Sequence, residues 1–408
     1  MRPRPGPLLV TALSFALWGC GDASNADVVE SGVTTPSDDP SSYDASPSAG
    51  GALVVGAPRW VIPSPSVPAS LTAQESNNNV EIHFFGEALY LAWRTAPYHF
   101  ADEAAQILVM ASEDGGETWR SSLVVDHDAD VREPRLYDIG GELRLMYFEA
   151  GVEPTAFDPQ ATWQTTLLAD GTWSEPSLVF PEVEVPWDIK VRGGRAYMTS
   201  YAGGHYQDAE ADPLELRFRV SDDGESWNAA GETLTVYSGG VSEAAFEFDV
   251  DGSLWALTRN EDCDASGCGS HVCWAPADGL SNWECPSESD PRRFDSPELF
   301  RHGSEIYLVA RRNLGEVFGP EGDLLAYSLT PKTTAIYRID KEARTVIHVM
   351  DLPGAGDTAF PSVRRTGVDT YLLANYTSPL DDPEISWLDG QISPAGTQIY
   401  LMDLSFEP

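Results

Sequence analysis

Ser112-Glu113-Asp114-Gly115-Gly116-Glu117-Thr118-Trp119 is the stretch on which the fold turns. It follows an apolar run, residues 107–111, that reads as a strand. Its carboxylate suits the backbone N–H groups of a tight turn, its glycines suit positive φ, and its tryptophan suits a plug between neighbouring units. The pattern returns at Asp222-Asp223-Gly224-Glu225-Ser226-Trp227, behind the strand-like residues 216–220. Aligned on the tryptophan, Asp114 matches Asp222, Gly116 matches Gly224, Thr118 matches Ser226, and Val220 replaces the first serine. A reduced copy stands at Asp170-Gly171-Thr172-Trp173.

A second repeat surrounds the first. An apolar strand, a turn with glycine, and another apolar strand recur six times: 81–85 with 88–93, 134–138 with 143–147, 187–191 with 196–200, 245–250 with 254–258, 297–301 with 306–310, and 361–365 with 370–375. The spacing of about fifty residues leaves room for four strands per unit. The expected fold is therefore all-β, a six-bladed β-propeller of four-stranded antiparallel blades, with five blades plus an appended sheet as the alternative. Trp60-Val61-Ile62 is expected to supply the outer strand that closes the ring against the last blade.

Lys and Arg number 25 against 64 Asp and Glu, a formal charge of −39. So acidic a surface argues against nucleic acid as a partner. Arg2 and Arg4 precede a short apolar segment ending Leu17-Trp18-Gly19-Cys20, which resembles a bacterial lipobox. Residues 1–19 are thus expected to be a lipoprotein signal peptide, Cys20 the lipidated residue, and 20–56, rich in Ser, Asp and Pro, a flexible tether. The folded part is expected over 57–408, exported and held to a bacterial membrane by its N-terminal lipid alone. Export favours two disulfides among Cys263, Cys268, Cys273 and Cys285 over a zinc site, because paired CxxC knuckles are lacking. Three pairings are open; one sets Cys273 against Cys285 and leaves Cys263 to close a small loop with Cys268.

In a propeller, the starts of the innermost strands and the loops after the second strands share one mouth of the axis. That geometry nominates Glu81, Glu133, Asp188, Glu243, Asp295, Glu298 and Asp357 from first strands. Arg94, Glu149, Tyr201, Arg259, Asn260, Arg311, Arg312 and Tyr376 come from the ends of second strands. Asp126-His127-Asp128-Ala129-Asp130 begins like a calcium loop but has Val131 where the turn needs glycine, so no metal and no cofactor is expected. His99 and His205 fall in loops near the same mouth.

The S-x-D-x-G-x-T-W pattern resembles the Asp-box of sialidases and related propellers. The resemblance implies a site with an arginine triad, an acid/base Asp and a Tyr–Glu nucleophile. Arg94, followed by Asp102 and the complete box, is similar to the family's first blade, with Asp102 in the acid/base place. Glu243 and Arg259 look like the fourth-blade pair, and Arg311, with Arg312 as rival, like the next triad arginine. Two positions depart. Asn78-Asn79-Val80-Glu81-Ile82 carries no arginine, and the place of the nucleophilic tyrosine is Phe360, which leaves Tyr376 or Tyr201 as substitutes. The expected site is Asp102, Glu243 and Tyr376 for catalysis, with Arg94, Arg259, Arg311, Asp188 and Glu298 binding substrate. The expected function is a sialidase-like exo-glycoside hydrolase acting on a terminal acidic sugar, or else a non-catalytic glycan-binding propeller. In either case the partner is a glycan or glycoconjugate and the chain is a monomer.

Overall fold

The computed structural model describes residues 51–154, 156–204, 213–315, 318–319 and 322–407. Cys20, the signal segment, most of the expected tether, and His205 lie outside the described residues. Six antiparallel sheets follow one another along the chain as the blades of a propeller. Their innermost strands are Ser76–Phe85, Asp130–Ile139, Val185–Arg192, Val241–Phe248, Glu298–His302 and Ser362–Arg365. Each turns into its second strand at the expected hairpin, with Phe85 opposite Ala88, Ile139 opposite Glu142, Arg192 opposite Arg195, and Arg365 opposite Tyr371. Blade 4 has three full strands, and Glu284 and Asp290 add isolated bridges along its outer edge.

Ring closure uses more of the chain than the sequence reading assigned. Arg59–Ile62 pairs with Gln398–Glu407, the third strand of the last blade. Ala52–Val55, within the stretch read as tether, pairs with that strand as well. Val61 and Ile62 are buried in the core cluster that joins the first and last blades. Arg59 also donates to the Gly115 carbonyl at 2.6 Å and pairs with Glu117 at 3.0 Å, fastening the closing strand to the turn of blade 1.

In the turn at 112–119, Asp114 accepts from the Thr118 N–H at 2.8 Å and from its hydroxyl at 2.6 Å, while the Gly116 N–H donates to Ser112 Oγ. Gly116 (φ 94°) also closes on Leu401 of the last blade, where a Cβ would lie 2.9 Å from a methyl carbon. The second copy corrects the alignment. Asp223, not Asp222, accepts from Glu225 and Ser226, and Ser221 takes the serine's place. That turn is one residue shorter, and Asp222 instead pairs with Arg195. The tryptophans lean on the preceding blade: Trp173 donates to Ser122, and Trp227 packs edge-on against Tyr137. Trp283 does the same in blade 4 against Phe218, after an Asp278-Gly279 pair that the sequence reading passed over.

Both disulfides form, Cys263 with Cys268 and Cys273 with Cys285.

Candidate functional site

The inner strands run through the axis from one end to the other, so position along a strand sets depth. At the starting end the alternation of the strand puts Asp130 and Arg132 on one side. Arg293 and Asp295, just before the fifth inner strand, share the same i, i+2 spacing. Regular pairing breaks at this level in blades 1 to 4, between Asn78 and Glu81, Arg132 and Arg135, Pro186 and Asp188, and Val241 and Ala244. Asn79, Glu133, Ser296 and Ala359 adopt positive φ there. Bulges re-aim side chains, and non-glycine residues in this backbone region are costly and concentrate at functional sites.

The result is a buried ionic layer. Arg94 donates to Asp130 at 2.7 and 3.0 Å and to the Phe100 carbonyl at 3.0 Å. Arg132 pairs with the other oxygen of Asp130 and donates to the His99 carbonyl. His99 Nδ1 lies 2.8 Å from Asp357, and Tyr376 donates its hydroxyl to the same carboxylate. On the far side Arg259 bridges Glu243 at 2.9 Å and Glu261 at 3.1 Å, with Asp295 at 3.9 Å. Arg293 pairs with Glu261 and Asp295, and Arg311 pairs with Asp295 at 3.0 Å. Five guanidiniums thus face six carboxyls, those of Asp130, Glu133, Glu243, Glu261, Asp295 and Asp357, and all are buried.

The layer splits its carboxyls. Burial raises Glu243 well above the ordinary carboxylate range; Asp295 and Glu133 add to this, and Arg259 only partly opposes it. Burial would also raise Asp295, but Arg293, Arg311 and Arg259 overcome it and hold that carboxyl low. Burial lowers His99 against the pull of Asp357, so the imidazole is neutral at neutral pH.

Three segments cap this end. The loop after the second strand of blade 1 carries His99, whose N–H donates to the Gln391 carbonyl. Two short helices, Leu324–Ser328 and Trp387–Gln391, come from the corresponding connections of blades 5 and 6. Trp387 lies over Arg311 at 4.6 Å, and Tyr327 lies over Arg293 at 4.6 Å while donating to Asp295 at 2.5 Å. Under this cap, several buried polar atoms have no hydrogen-bond partner among the described residues: His99 Nε2, Arg311 Nη2, Ser296 Oγ, Trp387 Nε1 and both amide atoms of Gln391. Buried polar atoms are paired as a rule, so these call for water or a bound polar group to complete them.

Of the residues expected from sequence, the structure brings Arg94, Glu243, Arg259, Arg311 and Tyr376 into or against this layer. Asp102 is partly exposed beyond it; its carboxylate accepts from the Ala104 N–H within its own turn. Arg312 points outward to Asp351. Asp188 and Glu298 lie deeper, around Lys190, and Asp188 accepts from the Phe246 N–H. Phe360 is buried between them and the ionic layer, packed on Trp187 at 5.0 Å and under Arg135 at 4.1 Å. Arg132, Glu261, Arg293, Tyr327 and Gln391 were not singled out from sequence, and Asp130 only as the end of an acidic stretch. The Asp-x-Arg and Arg-x-Asp spacings at inner-strand starts were the available signal. Asp130 belongs to Arg94 and Arg132 rather than to a calcium loop.

No known family model matches the chain, and no curated protein does. Solved structures do. A Dyadobacter fermentans protein of unknown function superposes with a TM-score of 0.53 at 15% identity, covering 82% of this chain and 98% of that one. A mutant of Trypanosoma rangeli sialidase that displays trans-sialidase activity gives 0.53 at 13%, covering 80% and 54%. The phage phi92 endosialidase gives 0.58 at 11%, covering 86% and 69%. The chain spans about half the length of the trypanosomal enzyme. At these identities the likeness establishes the six-bladed propeller fold, shared with sialidases and an endosialidase.

Proposed function

We propose that the capped end of the axis is a carbohydrate site and that the chain is a sialidase-like exo-glycoside hydrolase acting on a terminal sugar. In this reading it is exported and anchored to a bacterial membrane through Cys20. The observation that carries the site is the cluster of buried, unpartnered donors and acceptors beneath the cap. Sugar hydroxyls both donate and accept, so one ring would satisfy the mixed set. With Glu243 protonated, the five arginines are already matched by five carboxylates, which favours a neutral, hydroxyl-rich sugar over an acidic one.

The chemistry follows from the split carboxyls. Glu243, protonated, gives its proton to the leaving oxygen as the glycosidic bond breaks. Asp295, ionised, faces the positive charge that develops on the ring. Water attacks the anomeric carbon and passes its proton to His99 Nε2, the imidazole being oriented by Asp357. Asp102, at the rim, would guide the departing group. Direct attack by water inverts the anomeric centre. Tyr376 is held by Asp357, and Phe360 is a core residue, so neither supports a covalent intermediate. That same fact favours the second reading, a glycan-binding propeller without turnover.

The test is a panel of chromogenic glycosides, neutral and acidic, with the purified protein. Turnover of a neutral glycoside, reduced about 10²- to 10⁴-fold by Glu243→Gln, is the expected result. Binding on a glycan array without turnover selects the second reading. Silence in both sinks the carbohydrate site.

A further inference from the structure

A cavity opens at the opposite end of the axis, where the inner strands finish. It has a volume of about 90 Å³ and takes side chains from all six inner strands, among them His83, Tyr137, Lys190, Glu247, Arg301 and Arg364. The plug of Phe360, Trp187 and Arg135 separates it from the capped site. Its walls are mixed, with Phe248, Phe300 and Tyr371 presenting rings between the charged groups. Its basic groups are concentrated in a protein where acidic residues outnumber basic ones more than two to one.

Those basic groups are held differently. Arg364 pairs with Glu81 and sits 3.5 Å from Glu298. Lys190 donates to the Leu299 carbonyl at 2.8 Å and sits 3.4 Å from Glu298. Arg301 donates Nη1 to the Gly303 carbonyl, which fixes the guanidinium, and the neighbouring acid of the same chamber is Glu247, a carboxyl that burial raises and Arg301 helps to hold ionised. Arg301 Nε is buried and has no hydrogen-bond partner among the described residues. Arg365, beside it on the wall, donates to the carbonyls of Gly367 and Val368. A concave chamber that sets ring and aliphatic walls beside fixed polar groups has the general form of a small-molecule site. A guanidinium selects an oxyanion, and a planar carboxylate matches its fork best.

We propose that this lower chamber binds a small carboxylate carried on an apolar, ring-sized body, with Arg301 as its anchor. The ring walls take the body, and the carboxylate accepts from Arg301. The chamber is independent of the sugar reading, because no residue is shared between the two ends.

Isothermal titration calorimetry of the purified full chain with benzoate, acetate and the neutral isostere benzyl alcohol, at fixed ionic strength, tests this. Benzoate is expected to bind at least tenfold more tightly than acetate, and benzyl alcohol not at all. Arg301→Gln is expected to remove benzoate binding, and Arg301→Lys to weaken it; Glu243→Gln at the other end leaves it unchanged. Benzyl alcohol binding as well as benzoate, no benzoate binding by the wild type, or benzoate binding untouched by both Arg301 variants would each overturn the proposal. The isostere comparison needs no variant, so it decides the matter even if Arg301→Gln fails to fold.

Discussion

Glu298 shows how burial in the axis writes a pH dependence into single residues. It lies in the middle of the channel with Asp188 and Glu81 nearby and with Lys190 and Arg364 as partners. Burial, reinforced by the two neighbouring carboxylates and opposed by the two cations, pushes its carboxyl up to about 8. A folded-state value above the unfolded one means the native protein holds a proton that the unfolded chain has released. The stabilising contribution is full below the ordinary carboxylate value and is lost as pH rises through about 8. Glu247, also raised by burial, adds a slope of the same sign. Melting temperature should therefore fall between pH 5.5 and 8.5 with a component that Glu298→Gln removes. A variant whose melting curve tracks the wild type across that range would show that Glu298 is ionised throughout.

At the scale of elements, the cap rests on a covalent support. The Cys263–Cys268 disulfide closes the turn between Leu254–Asp264 and Gly267–Ala275. It clusters with Phe318, Tyr327 and Trp387, and a Cβ on Gly322 would sit 2.7 Å from Cys263 Sγ. Replacing both cysteines by serine should cost about 2 kcal/mol through loop closure. It should also speed amide exchange in the segment carrying the helix Leu324–Ser328 while leaving the inner strands unchanged; unaltered exchange in that helix would mean the cap does not depend on the disulfide. This part of the molecule also marks how far the sequence could be read. Hairpins and turn motifs are local, so strand order and blade count follow from periodicity and glycine placement. Arg94, Glu243, Arg259 and Arg311 were legible as strand-end charges because a propeller gathers strand ends. His99 against Asp357 joins residues 258 apart in sequence, through loops with no periodic pattern. Gln391 and Tyr327 lie on inserted helices, and nothing in a repeat foretells where an insertion folds. Phe360 read as a missing nucleophile because its depth in the axis, beneath Arg135, depends on how far each inner strand is shifted by its bulge.

For the whole molecule the decisive feature is that a ring must close on itself. Every other neighbouring pair of blades is joined by continuous chain, but the last blade meets the first through residues near opposite ends of the sequence. Arg59–Ile62 and Ala52–Val55 complete the last blade, and Asn77 of the first inner strand donates its N–H to Thr397 Oγ1 at 2.7 Å. Val61 and Ile62 are almost fully buried, and each such side chain contributes roughly 1.5–3 kcal/mol. Together they supply a large part of the about 5–15 kcal/mol by which domains are stable. The strong negative charge opposes compaction, so a ring left open has little else to hold it shut. A protein beginning at residue 51 should melt in one cooperative transition. One beginning at residue 63 lacks both closing segments and the Arg59 link to Glu117; it should melt at least ten degrees lower, with early exchange in Gln398–Glu407 and in the turn at 112–119. Equal melting temperatures for the two would show that the ring holds through its inner strands alone, and that the closing strands only cover the edge.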